Sequence, residues 1–253
     1  MDRQVRIERE EGALAITLSR PERRNAITVA MYAALADAVE GAADDADVRI
    51  ITIRGEGQDF TAGNDLADFL AAMPRDEEIP VMRLLRALAS NPKPLVAAVQ
   101  GNAVGIGTTL LLHCDLVIAE EGARFSMPFV DLGLVPEAAS SLLLPLLAGR
   151  RRAASWLLLG ESFGSADARD AGIVSHVVAD GSAPAALAEM ARRLLAKPAE
   201  ALQLTQGLLR RGYADEVVER IDLESVYFGE RLKSAEARAA FTAFFQRKSP
   251  GSA

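Results

Sequence analysis

The first half of the chain contains short apolar segments with the lengths and patterns of β-strands. Residues 5–10 and 13–18 alternate apolar and polar positions on either side of Glu11-Gly12, which predicts a β-hairpin. Three further apolar runs, at 50–53, 95–99 and 116–119, predict buried strands. Helical patterns and glycine-rich loops separate these runs along the chain. Strands separated by helices favour an α/β core.

Helical periodicity dominates the rest of the chain. Thr28 is placed to cap a helix whose apolar positions run from Met31 to Val39, and a second helical pattern stops before Pro92. From Ser140 onward the pattern is almost wholly helical. Helices are predicted for 108–113, 152–159, 185–196, 199–211, 215–231 and 235–246. We therefore expect one α/β body with a helical C-terminal third.

The composition limits the possible partners and chemistry. The chain has 253 residues, 50% hydrophobic and 25% charged, which is enough for a sizeable core. Its formal net charge is -7, and without a long basic run this argues against nucleic acid or an anionic membrane as partner. Cys114 is the only cysteine and His113 and His176 are the only histidines. An intrachain disulfide is excluded, and a metal cluster or a serine–histidine–acid triad has few candidates.

Two features of the sequence bear on its location. The N-terminal segment MDRQVRIEREEG is charged and lacks the apolar centre of a signal peptide. The apolar stretches are interrupted by Gly, Pro or charge before they reach the roughly 20 residues of a membrane-spanning helix. We therefore expect a soluble, cytoplasmic protein.

Two glycine-rich loops each lead from a predicted strand toward a helix, at 60–66 and 101–107. Glycine allows positive φ and close approach of a ligand to the main chain, and a helix start offers unpaired N–H groups. Two such loops facing one point could bind a single carbonyl oxygen as an oxyanion hole. The alternative is that the glycines only permit tight turns and packing. The second loop, spaced G-x-x-x-G-x-G, does not match the dinucleotide-binding fingerprint.

Five segments in register identify a family resemblance. They are SRPERRNAIT at 19–28, FTAGNDL at 60–66, KPLVAAVQGNAVGIGTTLLLHCDLVIA at 93–119, FSMPFVDLGLVP at 125–136 and GSADARDAGIVSHVV at 164–178. Over nearly its whole length the chain resembles the crotonase (enoyl-CoA hydratase/isomerase) superfamily. The last of these segments looks like the downstream helix and strand of this family. The resemblance implies an α/β fold of the ClpP/crotonase type, a spiral of ββα units with a helical C-terminal region. It places the spiral core in residues 1–195 and a trimerisation region in 196–253 of one continuous domain.

The resemblance also implies a ligand and a set of binding positions. The ligand is an acyl-coenzyme A thioester, with no further cofactor and no metal, and the assembly is a homotrimer or a dimer of trimers. The implied oxyanion donors are the backbone N–H groups of Ala62 and Ile106. The implied coenzyme A or substrate contacts are Arg23, Arg24, Ala26, Asn64, Asp65, Leu66, Phe129, Phe244 and Arg247. The alternative for the two arginines is that they are solvated surface residues.

The positions of the acids separate subgroups of this family. Hydratases carry two carboxylates, at the positions held here by Thr109 and Phe129, and both are absent. Glu137 instead follows Pro136 in a segment that resembles the peroxisomal-type Δ3-Δ2-enoyl-CoA isomerases, in which one glutamate is the base. Apolar neighbours should raise the pKa of this acid toward neutrality. The alternative is that Glu137 only caps the following helix.

Three functions are consistent with these residues. The first is a double-bond isomerase with Glu137 as acid/base. The second is another crotonase reaction, such as hydration, in which Glu137 acts on water. The third is a non-catalytic acyl-CoA-binding or assembly protein that has lost the hydratase acids.

Overall fold

The computed structural model of the protein describes residues 4–71 and 80–248. The strands are β1 Val5–Glu10, β2 Ala13–Leu18, β3 Ile50–Gly55, β4 Leu95–Val99, β5 Asn102–Val104, β6 Leu116–Glu120, β7 Arg124–Ser126, β8 Phe163–Gly164 and β9 His176–Val178. The strands predicted at 5–10, 13–18 and 95–99 are confirmed residue for residue, and those at 50–53 and 116–119 extend by one or two residues.

The strands form two sheets. The larger sheet has the order β1-β2-β3-β4-β6-β9 and the smaller one the order β5-β7-β8. In the larger sheet β1 and β2 form the antiparallel hairpin, and the other pairs are parallel. The chain passes from β4 to β5 and from β6 to β7, so successive turns give one strand to each sheet. This is the spiral of ββα units that the resemblance implied.

The helices cover both faces of the larger sheet. They are α1 Val29–Asp44, α2 Leu66–Ala71, α3 Pro80–Ser90, α4 Ile106–Thr109, α5 Ser140–Ala148, α6 Arg150–Leu158, α7 Ser165–Asp170, α8 Ala183–Leu195, α9 Ala199–Arg210, α10 Ala214–Leu232 and α11 Ala235–Lys248. Thr28 caps α1 as predicted, since its hydroxyl oxygen accepts the N–H of Met31. Short 3-10 turns lie at Pro21–Arg23, Leu110–His113 and Val130–Leu132.

Strand β4 shows why the buried strands appear in the sequence as continuous apolar runs. All five of its residues are buried, because helices cover both faces of the parallel part of the sheet. On one face Val96 packs with Ile118 and with Leu187 of α8, in a small cluster of its own. On the other face Leu95 belongs to the main core between the sheet and the helices α1 and α3.

The prediction of an almost wholly helical chain after Ser140 is wrong at β8, and the small sheet to which β8 belongs was not predicted. The helix and strand that the resemblance implied within 164–178 are present as α7 and β9. Strands β8 and β9 are only two and three residues long, too short for an alternating pattern to stand out from helical neighbours. Among the residues that the structure describes, no helix has both the length and the apolar character required to cross a membrane.

Candidate active site

The two glycine-rich loops contact each other at the carboxyl ends of two central strands of the larger sheet. Strand β3 leads into the loop at 60–66, and its neighbour β4 leads into the turn at 101–107. The ends of neighbouring parallel strands meet at the same edge. The loops are joined by two main-chain hydrogen bonds, from Thr61 N–H to the Asn102 carbonyl (3.0 Å) and from Val104 N–H to the Thr61 carbonyl (3.1 Å).

Glycine is required where the two loops touch. Gly63 has φ of +84°, and a Cβ at this residue would lie 2.7 Å from the carbonyl oxygen of Val104. A Cβ on Gly107 would lie 2.5 Å from the side chain of Thr61. Real Cβ atoms do not approach so closely, so any larger residue would push the loops apart. The glycines therefore fix the distance between the two loops.

The prediction that Ala62 supplies an oxyanion donor is wrong for this structure. The Ala62 N–H already donates to the carbonyl oxygen of Arg24 at 2.9 Å. Two residues later, the N–H of Asn64 has no acceptor among the described residues, although those of Gly63 and Asp65 both have one. Ile106 begins α4, and its N–H also lacks an acceptor within the described chain. Each loop thus offers a free amide, that of Asn64 in the first and that of Ile106 in the second.

Glu137 does not face bulk water. It lies in the segment before α5, its residue is 7% exposed, and its Oε1 is buried without a hydrogen-bond partner in the described structure. A buried polar atom without a partner is rare and requires an explanation, such as a place for a ligand or water. The interpretation of Glu137 as a solvated helix cap does not fit this burial.

Burial is also the main reason why the pKa of Glu137 is raised, from 4.5 to about 8, with the negative charge of Glu224 as a second cause. The pKa of Tyr32 is also raised, mainly because the residue is buried and secondly because of the charge of Glu137. The Tyr32 hydroxyl donates a short hydrogen bond to Oδ1 of Asn64. Tyr32 on α1 therefore contacts the loop that carries the free Asn64 amide and is close enough to the buried acid to be affected by its charge.

The two residues after Glu137 have an unusual backbone. Ala138 and Ala139 have φ of 60° and 55°, in the left-handed region, and both are fully buried. This conformation is unfavourable for a residue with a Cβ and persists only where its surroundings impose it. Such strain is concentrated at functional sites. Nothing in the sequence PEAASS predicted this turn, because alanine is not a residue that favours it.

The two positions that carry acids in hydratases are occupied by uncharged buried residues. Thr109 ends α4 and is fully buried, and its Oγ1 has no hydrogen-bond partner in the described structure. Phe129 is 5% exposed and belongs to the main core cluster. Neither side chain can transfer a proton as a carboxylic acid does. Asp59, beside the same loops, is a buried acid as well, but it is paired with Arg24, whereas Oε1 of Glu137 has no partner among the described residues.

Some of the coenzyme A contacts predicted near the first loop already have partners within the chain. Arg23 and Arg24 are both exposed, but Arg24 is paired with Asp59 at 2.7 Å. Asp65 accepts a hydrogen bond from Arg20 at 2.7 Å and therefore fixes its own loop. Ala26 and Leu66 are partly buried beside this loop.

The C-terminal contacts are on helix α11. Phe244 is partly exposed and packs edge-to-face against Phe245, with ring centroids 5.8 Å apart. The side chain of Arg247 lies outside the described part of the structure. Within the described residues, no group of three or more His, Cys, Asp and Glu side chains could hold a metal ion.

Two contacting glycine-rich loops with free amides and a buried acid beside them, on a spiral of ββα units, define the class of the protein. The family model for enoyl-CoA hydratase/isomerase matches residues 8–251. The chain belongs to this family, the crotonase superfamily, and is an enzyme of it.

Individual relatives agree with this assignment. The 1,2-epoxyphenylacetyl-CoA isomerase of Escherichia coli (strain K12) is 35% identical over 95% of this chain and 95% of its own length. Enoyl-CoA delta isomerase 2 of Rattus norvegicus is 32% identical over 94% of this chain and 62% of its own length. The crystal structure of an enoyl-CoA hydratase/isomerase from Pseudoalteromonas atlantica T6c has a TM-score of 0.92 at 37% identity, covering 99% of this chain and 100% of that one. Hydratases match as well, so similarity does not separate isomerisation from hydration.

Proposed function

We propose that the enzyme moves the double bond of a 3-enoyl-CoA thioester to the conjugated 2-enoyl position, with Glu137 as its acid/base. The observation that carries this proposal is the state of the Glu137 carboxyl. It is buried, one of its oxygens has no partner in the described structure, and its pKa is raised to about 8. A group that must both accept and return a proton works best with a pKa near the working pH.

In the proposed reaction the ionised Glu137 takes a proton from C2 of the thioester. The electron pair moves onto the thioester oxygen and forms a dienolate. Protonation at C4 by the same carboxyl then leaves the double bond between C2 and C3. No water is consumed, which suits a site with Thr109 and Phe129 where hydratases carry acids.

The proposed donors to the dienolate oxygen are the N–H groups of Asn64 and Ile106. Both amides lack an acceptor in the described chain, and they lie on loops that the contacts of Gly63 and Gly107 hold together. Loss of one such donor costs roughly 3 kcal/mol of transition-state stabilisation in a comparable site. Because the donors are main-chain groups, the isoleucine at 106 shapes the pocket without removing a donor.

We propose that the nucleotide end of coenzyme A binds near Arg23, which is exposed and forms no ion pair within the described residues. Arg24 would contribute less, because Asp59 already holds its guanidinium. Near the C-terminus, Phe244 and Arg247 remain candidates for contacts with coenzyme A. Their placement on α11 fits a ligand that reaches the C-terminal helices.

We also propose a homotrimer, or a dimer of trimers, in the cytoplasm. Exposed leucines on the C-terminal helix α9, Leu204, Leu208 and Leu209, support a surface that another copy covers. Light scattering of the purified protein measures the mass of the assembly. A monomer at micromolar concentration would contradict this part of the proposal.

The reaction is tested with 3-hexenoyl-CoA, whose conversion to the conjugated product produces new ultraviolet absorbance. Glu137→Gln should lower kcat by about 10²- to 10⁴-fold, because general acid–base catalysis contributes that much. Asp131→Asn is the matched control, since Asp131 is a nearby but exposed acid, and should act like the wild type. Near wild-type turnover by Glu137→Gln would defeat the assignment.

One observation favours hydration as the second candidate. The buried Oγ1 of Thr109 has no partner in the described structure and could hold a water molecule. Incubation with crotonyl-CoA decides between the two reactions, since a hydratase removes the conjugated double bond. Efficient loss of absorbance, abolished in Thr109→Val, would favour hydration. Tight binding of thioesters without turnover of either substrate would favour the non-catalytic alternative.

A further inference from the structure

A second acid reaches the turn beside Glu137 from a distant part of the chain. Glu224 lies on α10 and is 5% exposed. Its Oε2 accepts the N–H of Ala139 at 2.7 Å, and its Oε1 accepts the N–H of Ser141 at 3.0 Å. Both carboxylate oxygens are therefore used by the main chain at the start of α5. An ionised carboxylate bound to two amides at a helix N-terminus is a favourable arrangement.

We propose that Glu224 is a positioning residue of the active site: its carboxylate holds the left-handed turn at Ala138–Ala139 and thereby fixes the direction of the Glu137 side chain. This inference rests on the proposed role of Glu137. It assigns a function to α10, in the C-terminal helical region, beyond assembly.

One main-chain hydrogen bond closes the turn, from Ser140 N–H to the Glu137 carbonyl (3.0 Å). Ala138 and Ala139 have no polar side chain, and their left-handed backbone is unfavourable. Three side chains bind further polar groups around the turn. Ser140 donates its hydroxyl to the Glu137 carbonyl (2.6 Å), His113 Nε2 lies 2.8 Å from the Ala138 carbonyl, and Glu224 accepts the Ala139 N–H.

These three contacts differ in what they can control. The Ser140 contact is local, as it spans three residues along the chain. Because burial lowers the pKa of His113 to about 4, the ring is neutral at pH 7 and its contact is an ordinary neutral hydrogen bond. Glu224 supplies the charge-assisted contact, which is the stronger kind. Its loss should therefore loosen the turn most.

The titratable groups around Glu137 and Glu224 come from helices α1 and α10. Glu137 faces Glu224 on α10 and the phenol of Tyr32 on α1. Glu224 also faces Arg220 of its own helix, which binds the Ser141 hydroxyl at 3.1 Å. Burial raises the pKa of Glu224, against hydrogen bonds from Ser141 and Ala139 that lower it. Removal of the Glu224 charge should therefore make Glu137 easier to ionise.

The test compares Glu224→Gln, Glu224→Asp and Glu219→Gln. Glu219 is an exposed acid on the same helix and serves as the matched control. With 3-hexenoyl-CoA, Glu224→Gln should lower kcat by about 10- to 100-fold, as expected for a misplaced acid, with KM within about threefold. The acid limb of its pH–rate profile should also move to lower pH. Glu224→Asp, which keeps the charge, should leave that limb in place and recover part of kcat.

Unchanged kcat and an unchanged pH profile in Glu224→Gln would overturn the proposal, as would the same changes in Glu219→Gln. A wild-type protein without isomerase activity would instead count against the proposed function. In that case the test is the ¹³C NMR titration of glutamate carboxyl carbons, with Glu137 identified by its missing signal in Glu137→Gln. The Glu137 midpoint should be lower in Glu224→Gln than in the wild type.

A second variant covers the possibility that Glu224→Gln does not fold. Glu224→Asp keeps the charge but is one methylene shorter, so it should fold and still lower kcat by about threefold or more, because the turn is held less well. A kcat of Glu224→Asp equal to that of the wild type would overturn the proposal without Glu224→Gln.

Discussion

Two left-handed turns border the active site, and they are held in different ways. Arg24–Asn25 has φ of 53° and 55°, and Ala138–Ala139 has φ of 60° and 55°. In the first turn the buried Asn25 side chain makes the contacts, since it accepts the Arg20 N–H and donates to the carbonyls of Glu56 and Asp59, each at 2.8 Å. The alanines of the second turn have no polar side chain, and the carboxylate of Glu224 binds that turn. The first turn therefore depends on one of its own side chains, whereas the second depends on a residue 85 positions away.

The largest effect that should sharpen this comparison is the pH dependence of stability at the second turn. The pKa of Glu137 is raised from 4.5 to about 8 in the folded protein, mainly by burial. The folded state therefore keeps a proton that the unfolded state releases. The resulting stability is present below about pH 4.5 and is lost as pH rises to about 8. The loss is up to about 1.4 kcal/mol per pH unit within this window.

Glu137→Gln removes this dependence, so its stability relative to the wild type should increase between pH 5.5 and pH 8.5. Urea unfolding at both values measures the difference, in which the titration of other groups cancels. A gain of about 3 kcal/mol is expected, and each kcal/mol corresponds to roughly 2–4 °C in Tm for a domain of this size. Equal differences at the two pH values would show that Glu137 titrates normally.

The next effect tests the first turn. Asn25→Ala removes three hydrogen bonds to buried or part-buried main-chain groups, so it should lower the free energy of unfolding by about 3 kcal/mol. Urea unfolding measures this change. Gln58→Ala, at an exposed residue of the neighbouring loop, should stay within about 0.5 kcal/mol of the wild type. A similarly small change in Asn25→Ala would mean that this turn is also held from outside.

A smaller effect of opposite sign is expected at the second turn. Ala139→Gly removes the Cβ that makes φ of 55° unfavourable, and should raise the free energy of unfolding by up to about 1 kcal/mol. The same change at Ala201, exposed within α9, should lower it by about 0.5–1 kcal/mol. Because glycine also loosens the turn, kcat of Ala139→Gly should fall. Destabilisation equal to that of Ala201→Gly would show that the turn carries no strain.

The smallest effect concerns the arginines of the first loop. Arg23→Ala should raise KM for the acyl-CoA about two- to fivefold at low ionic strength, as for an exposed ion pair, and less at high salt. Arg24→Ala should change KM less, because Asp59 already binds its guanidinium. Steady-state kinetics at two salt concentrations separate the variants. A larger KM effect for Arg24 would reverse the assignment.

The sequence was informative wherever the signal is local. The hairpin, the strand at 95–99 and the Thr28 cap follow from alternation, apolar runs and capping chemistry within a few residues. The identity of the acid also depended on a short segment around Glu137. Its burial then agrees with the apolar neighbours that the segment displays.

Contacts between distant residues could not be predicted in this way. Glu224 reaches Ala139 across 85 residues of the chain. The helical spacing of Val217, Ile221 and Phe228 places Glu224 on the buried face of α10, but it does not show which group the carboxylate binds. The prediction for Ala62 failed because its amide is used by Arg24, on another loop. The free amide of Asn64 becomes visible only when the hydrogen bonds of both loops are known.

The close contact between the two glycine-rich loops has a consequence for how such an enzyme can diversify. Gly63 and Gly107 meet the opposite loop without an intervening side chain of their own. The spacing of the amides is consequently independent of the residues that line the rest of the cavity. If the two amides bind the thioester oxygen as proposed, substitutions elsewhere around the site can change which thioester is accepted without moving these donors.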